Sequence, residues 1–377
     1  MLLKISKKNL MKRKKSPLEI YYISELNIPN KSAYSIHVMK MCEAFTKLGF
    51  ETNLFTIKSK NLSKIYKEYN ISYKFKIISV FNNFKKLIFL LRIIFSNLIL
   101  SKKLNNRSLF ISRSIIFALM ASILKKNIIL ELHHEMTGLT KLFYFLLKYL
   151  KLIKNLKFVF LHNELKKFYK VSSKYSVVLD DASSIENFNL STTNKIKNTC
   201  VYIGSFFEGK GIEQILRLAK LNPKIFFHIY GEKKYLKYKV KMRNVKVFDY
   251  VSYSKIPKVL SKYDVALMPY QKKVRGRGSI WLEKYMSPLK MFDYMAANLI
   301  ILASDLSVYK HILKNNFNCK LIRVNDDSKW SETIYSVLKN NNNKNTYLKK
   351  NAYQTAKKYT WDKRCQKIIS LSRSNIK

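Results

Sequence analysis

Apolar residues in this chain fall into short strand-length runs that alternate with longer stretches of helical spacing. Glu19–Leu26 is an apolar, aromatic run that ends in a polar loop, 27–35. Apolar positions return at helical spacing over Ile36–Leu48 and stop at Gly49, and Glu51–Thr56 is again strand-like. Strand, loop, helix, glycine, strand is the opening of a βαβ unit. The pattern repeats in 109–112 with 115–126, in 128–132 with 142–153, and in 158–161, which predicts a parallel sheet for the first half. Between Val171 and Thr199 the texture turns to Ser, Asn, Thr and Asp, which places a domain junction there.

The second half begins the alternation again. Strand 199–203, a glycine-bearing loop 204–211 and helix 212–220 are followed by strands 225–230 and 245–248. Helix 256–262, strand 265–268, helix 289–297 and strand 300–303 come next, and helices run to the end. The expectation is an α/β fold of two doubly wound domains, residues 1–190 and 195–360, facing each other across a cleft that takes ligands at the carboxyl ends of both sheets.

Composition supports two cores and narrows the chemistry. A length of 377 residues with 47% hydrophobic and 14% aromatic residues excludes a disordered chain. The net charge of +49 would suit an anionic partner, but residues 1–200 hold 36 basic and 11 acidic residues and the remainder 36 and 12, so the excess is even along the chain. Compositional bias explains it as readily as nucleic acid or lipid. Cys42, Cys200, Cys319 and Cys365 form no CxxC, so neither a zinc site nor a disulfide framework is expected and a reducing cytoplasm fits. The basic start, Met1–Pro17, leads into a segment containing Glu19 and Glu25, which is not a signal-peptide core. The longest apolar run, Leu87–Leu100, contains Arg92 and is too short for a bilayer of ~30 Å.

Two motifs carry chemistry. Gly204-Ser-Phe-Phe-Glu-Gly209-Lys210-Gly211 lies between a strand and a helix and comes within one residue of GxxxxGK[ST]. Gly211 removes the hydroxyl that a phosphate-loop NTPase needs for Mg²⁺. What survives is a glycine loop, a helix start and the cation of Lys210, all suited to a diphosphate; a tight turn with a solvated lysine is the plain alternative. In Met286-Ser-Pro-Leu-Lys-Met-Phe-Asp-Tyr-Met-Ala-Ala297, Ser287 is expected as N-cap with Pro288 at the first helical position, freeing the amides of Leu289, Lys290 and Met291 for an anion. Asp293, one turn on, could accept hydrogen bonds from a ribose, or could be an ordinary solvated acid.

The second motif, continuing through Ile301-Leu302-Ala303-Ser304-Asp305, resembles the donor-nucleotide signature of family 4 retaining glycosyltransferases. Tyr202–Gly204 through Lys210–Glu213, Tyr263–Tyr270 and Tyr359-Thr360-Trp361 support it. In the first half, Ile28–His37, Ser112-Arg113-Ser114 and Glu131-Leu132-His133 are similar to acceptor-domain segments of the same enzymes. The resemblance implies a GT-B fold of two Rossmann-like domains and a last helix, 363–377, crossing back to the first domain. It also implies retaining, metal-independent hexosyl transfer in cell-surface polysaccharide or lipopolysaccharide synthesis, with no cofactor beyond the nucleoside-diphosphate sugar itself. Gly204, Ser205, Lys210, Ser287, Pro288, Leu289, Lys290, Met291 and Asp293 would hold the donor. Tyr34, Ser35, Arg113 and His133 would face a glycan or lipid-linked acceptor, with His133, Lys210 and Asp293 as the catalytic set.

The match has departures. Tyr285 stands where a glutamate is usual, with Glu283 nearby, Ser205 where a base is usual, and Asp249 where a glycine is common. Arg275 or Arg277 could supply the missing cation, or lie in a solvated loop. His133 could orient the sugar, accept a proton or simply pack. His134-Glu135 is not a zinc-protease motif, because its second histidine position is Gly138. The segments 84–103 and 148–157 pair Lys with apolar residues and would suit the anionic inner face of a plasma membrane, or be ordinary Lys-rich helices. Two rivals remain: a glycosyltransferase-like fold without activity, and a nucleic-acid binder, for which no stripe or aromatic motif exists.

Overall fold

The computed structural model describes residues 18–59, 61–80, 89–102, 104, 108–188, 194–237, 239–276, 281–282, 284–339 and 343–373. Arg277, Glu283 and Met1–Pro17 lie outside them. In chain order the first half contains β1 (Glu19–Ile23), β2 (Asn27–Ile28), α1 (Ala33–Lys47), β3 (Glu51–Thr56), β4 (Lys58–Ser59), α2 (Leu62–Glu68), β5 (Lys76–Ser79) and α3 (Phe89–Leu100). It continues with β6 (Leu109–Ser112), α4 (Ile115–Ile123), β7 (Ile128–Leu132), α5 (Leu139–Tyr149), β8 (Leu156–Phe160), α6 (Asn163–Tyr169) and β9 (Ser176–Val178). The second half contains β10 (Thr199–Ile203), α7 (Ile212–Leu221), β11 (Phe226–Tyr230), β12 (Val245–Phe248), α8 (Ile256–Leu260), β13 (Val265–Met268), α9 (Leu289–Ala296), β14 (Ile300–Ser304) and β15 (Lys320–Ile322). Helices α10 (Asp327–Lys339), α11 (Asn343–Ala356) and α12 (Trp361–Arg373) close it.

Thirteen of the strands form two large parallel sheets, ordered β5-β3-β1-β6-β7-β8-β9 and β12-β11-β10-β13-β14-β15, and β2 and β4 pair apart from them as a short parallel ribbon. This is the expected pair of doubly wound domains. Each sheet is buried on both faces, because parallel strands need crossover helices above and below. Runs such as Leu109–Ser112 and Val265–Met268 are accordingly buried at every position, without alternation. In both sheets the order reverses beside the first strand, between β1 and β6 and between β10 and β13, which opens a crevice at their carboxyl ends.

Local chemistry sets the helix starts. The Ser32 hydroxyl accepts from the Ser35 amide at 3.1 Å to begin α1, and Ser114 does the same for Phe117 at 3.3 Å to begin α4. Helix α5 covers 139–149, three residues earlier than its apolar pattern suggests, because Gly138 rather than the spacing marks its start. The polar stretch 171–199 contains β9 and then a buried crossing segment, with Asp181 and Ser183 7% and 0% exposed. Helix α12 packs on α1, and its Trp361, Cys365 and Ile368 share a core with Ile20, Tyr22 and Leu109 of the first sheet.

Candidate active site

The chain leaves β10 at Gly204 and enters α7 at Ile212, so the intervening loop stands at the reversal point of the second sheet. Gly209 and Gly211 have φ of +75° and +85°; a Cβ on either would run into the backbone carbonyl of Lys273 or Pro269. The loop is thereby pressed against the exit of β13, and Lys210 between the glycines is only 8% exposed. Its Nζ stands 4.9 Å from the Tyr270 ring centroid, and burial pushes the ammonium pKa down to about 8.

Lys290, the second residue of α9, reaches the same place. Its Nζ is 3.5 Å from the Tyr202 ring centroid and 5.3 Å from that of Tyr270, and it would collide with any side chain at Gly204. This buried Nζ has no hydrogen-bond partner among the described residues. Burial first, and the charge of Lys210 second, push it well below the ordinary lysine range. Two amines over aromatic faces, with no carboxylate neutralising them among the described residues, would suit an anion.

The start of α9 differs from its sequence reading. Pro288, with φ −73° and ψ 122°, is the N-cap and has no side-chain capping bond. The Ser287 hydroxyl is drawn away to the crossing segment, accepting from the Asp181 amide at 3.0 Å and donating to Asp180 Oδ1 at 3.3 Å. Met291 is fully buried in the second domain's core, and its amide donates to the Pro288 carbonyl at 2.9 Å, so it faces no cleft. Asp293 is no solvated acid. It is 4% exposed, and its Oδ1 accepts from Ser183 Oγ at 3.0 Å and Tyr253 Oη at 3.2 Å. Burial raises its pKa to about 7 despite those hydroxyls and Lys40.

Across the cleft the first domain presents a second ionic cluster. Glu131, 1% exposed at the end of β7, takes the Arg364 guanidinium of α12, lies 3.0 Å from His37 Nε2 and 2.9 Å from His133 Nε2, and accepts from Tyr22 Oη at 3.0 Å. Burial opposes its charge, but His37 and Arg364 overcome it and hold the carboxyl well below its usual range. His37 Nδ1 is 2.7 Å from Asp181 Oδ1; although burial works against its charge, the two carboxylates raise its pKa. Burial, helped by Arg113, drops His133 to about 3, so its imidazole is neutral. With Nε2–H directed at Glu131, its Nδ1 remains an acceptor. His37, Glu131 and His133 have a spacing that could suit a metal ion. Glu131 is, however, already paired with the Arg364 guanidinium and in contact with both imidazoles.

Gly204, Ser205, Lys210, Ser287, Pro288, Leu289, Lys290 and Asp293 line one cavity of about 560 Å³ together with Tyr34, Arg113 and His133. Arg113 lies over the Tyr34 ring at 3.9 Å. Ser35, like Met291, stays outside: it is fully buried, and its hydroxyl donates to the carbonyls of Asn30 and Ser32. Arg275 pairs with Glu208 at 3.3 Å and does not line the cleft. Tyr285 lines it and donates its hydroxyl to Glu135 of the first domain. The sequence reading named His37 only as the end of an acceptor-like segment, without a role, and missed Asp181, Ser183, Tyr253 and Arg364. His37 alone had a local signal, a histidine one turn inside a helix that follows the loop of the switch-point strand.

Residues 183–355 match the family model described as glycosyl transferases group 1. No curated protein matches the chain by sequence. Solved structures share its architecture at low identity. A glycosyltransferase from Rickettsia africae ESF-5 has a TM-score of 0.69 and 13% identity over 95% of this chain and 98% of that one. TarM has a TM-score of 0.71 and 13% identity over 94% and 98%. HepE of Anabaena, in complex with UDP and glucose, has a TM-score of 0.69 and 10% identity over 95% and 100%. The fold is that of the GT-B proteins.

Proposed function

We propose that this chain, a GT-B protein whose second half matches glycosyl transferases group 1, moves a sugar from a nucleoside diphosphate to a glycan or lipid-linked acceptor. The observation that carries the reading is the pair of buried amines of Lys210 and Lys290, without a carboxylate partner among the described residues, beside the uncapped start of α9. A diphosphate there restores both ammonium charges and meets the first amides of the helix. Asp293 sits one helical turn on, where it would accept hydrogen bonds from a ribose.

The chemistry then needs little more. As the sugar–oxygen bond breaks, negative charge grows on the diphosphate, and each aimed donor in a dry site supplies roughly 3–4 kcal/mol. Two or three such groups reach the ~8 kcal/mol at the low end of enzymatic acceleration. A histidine with a pKa of about 3 is a poor base, so His133 would orient a sugar or acceptor hydroxyl through Nδ1, held by Glu131. Tyr34 and Arg113 would receive the acceptor. Retention, hexosyl specificity, metal independence and a place in cell-surface polysaccharide or lipopolysaccharide synthesis follow from the family resemblance. The first domain, 1–190, would take the acceptor and the second, 195–360, the donor, with the closing helix completing the first.

HepE was solved with UDP, which makes uridine sugars the first choice in a panel of UDP-, GDP- and ADP-sugars. A true donor present at 100 times its dissociation constant raises stability by about 2.7 kcal/mol, visible as a thermal shift. Absence of any shift across the panel overturns the reading. A donor that binds without transfer or hydrolysis would instead leave a glycosyltransferase-like binding protein, the reading favoured by the engagement of Tyr285 with Glu135 in place of a free sugar-facing carboxylate.

A further inference from the structure

Helix α5 has two apolar faces. Tyr144 and Leu147 are buried against the first domain's core. Leu139, Leu142, Phe145, Leu146, Tyr149 and Leu150, by contrast, are 60, 60, 52, 38, 84 and 45% exposed. At ~100° per residue these six fall within an arc of roughly 140° opposite the core side, a continuous stripe rather than scattered residues. Lys141 and Lys148 border the stripe, and Lys151 and Lys154 follow it in the next turn. Helix α4 packs on α5 and on the turn Leu152–Asn155, and its end adds exposed Ile123 and Leu124 followed by Lys125 and Lys126.

The stretch of chain that carries this face has a charge pattern unlike that of the rest. Residues 69–163 contain 16 basic residues, in keeping with the overall density, but only two acidic ones, Glu131 and Glu135. At the density of the other 21 acids over 282 residues, about seven would be expected. Both acids that remain are bonded within the interior or across the cleft, Glu131 to Arg364 and Glu135 to Tyr285. Even compositional bias toward lysine does not deplete acids in one region only. An apolar stripe bordered by lysines, on a stretch of chain poor in carboxylates, complements an anionic, apolar-cored surface, whereas a nucleic acid would make no use of exposed leucines.

We propose that the α5 face, with the end of α4, docks on an anionic lipid bilayer. The chain passes from His133 and His134, which line the cleft, to α5 in five residues, so the docked face brings the cleft's first-domain side close to the bilayer surface. This does not depend on the transferase reading, and its test does not use that activity.

The full-length chain is mixed with vesicles of phosphatidylcholine alone and of equal parts phosphatidylcholine and phosphatidylglycerol, and the bound fraction is read by sedimentation at low and high salt. Binding to the anionic vesicles is expected to exceed binding to neutral ones at least tenfold and to fall with salt. Replacing Lys141, Lys148 and Lys151 by Gln should weaken it on the order of a hundredfold. The Leu142→Ser, Phe145→Ser, Tyr149→Ser variant should abolish it while retaining the wild-type melting temperature and circular-dichroism spectrum, since all three side chains are at least half exposed. Equal binding to both vesicle types, or unchanged binding by either variant, overturns the proposal. So does a lipid-free dimer that the serine variant dissolves, which would assign the face to a second copy.

Discussion

Lys210, Lys290 and Asp293 each hold a proton inventory that the unfolded chain does not share. The folded pKa of Asp293, raised to about 7, means that the native state keeps a proton which the unfolded state sheds near 3.8. Its contribution is fully present at acid pH and is lost as pH rises through about 7. The Asp293→Asn variant isolates this term: its melting temperature relative to wild type should climb between pH 5 and 8, and a constant difference would refute the buried, protonated carboxyl. Lys210 has the opposite sign. Its folded pKa of about 8 lies below the unfolded 10.5, so stability rises with pH across that window. A bound diphosphate reverses the shift, and UDP-sugar binding near pH 8–9 should therefore take up protons. Calorimetry in buffers of different ionisation enthalpy reads that uptake, which should fall in Lys210→Met and largely vanish only when Lys290→Met is added, because both amines regain a proton on the diphosphate. In turnover, Lys210→Ala and Asp293→Ala should each cost on the order of 10²–10³-fold with the fold intact; wild-type rates in both would remove the site assignment.

The elements that carry these residues are short and depend on their neighbours. The loop 204–211 closes only because Gly209 and Gly211 adopt left-handed backbone in contact with opposing carbonyls. Gly211→Ala should destabilise the second domain by about 1–3 kcal/mol and weaken donor binding as Lys210 moves; denaturant midpoints and the thermal shift measure both. Helix α12 is held to the first domain by Arg364, whose guanidinium meets Glu131 and the carbonyls of Leu179 and Asp180. Arg364→Ala leaves Glu131 buried with less cation around it and should cost about 3–5 kcal/mol in urea unfolding. An unchanged midpoint would show the ion pair to be dispensable.

At the scale of the whole molecule, most of the described lysines and arginines are on the surface while the two lysines of the proposed donor site line the cleft. Buried charges are screened little by salt, and surface ones strongly. A nucleotide sugar should accordingly lose only a few-fold in affinity on a tenfold rise in salt. Any polyanion bound to the exterior should release with a steep log–log slope of ~0.9 per neutralised phosphate. A donor affinity that collapses with salt would place the diphosphate on the surface instead.

The sequence by itself determined the two parallel sheets, because strands buried on both faces must be short, uniformly apolar and separated by helices, a pattern that Leu109–Ser112 and Val265–Met268 show directly. It also marked the loop with Lys210 and the helix with Lys290 and Asp293, since glycines and a proline at an element boundary are local signals. Which of their atoms meet was decided only by the tertiary structure. Ser287 reads as a helix cap and is captured by the crossing segment instead. Ser35 and Met291 sit in motifs, yet they turn into cores. The Glu131 cluster joins His37, His133 and Arg364, the last 233 positions away. No window along the chain can foresee that meeting, because a buried carboxylate is neutralised by whichever cations the packing of distant helices brings within reach.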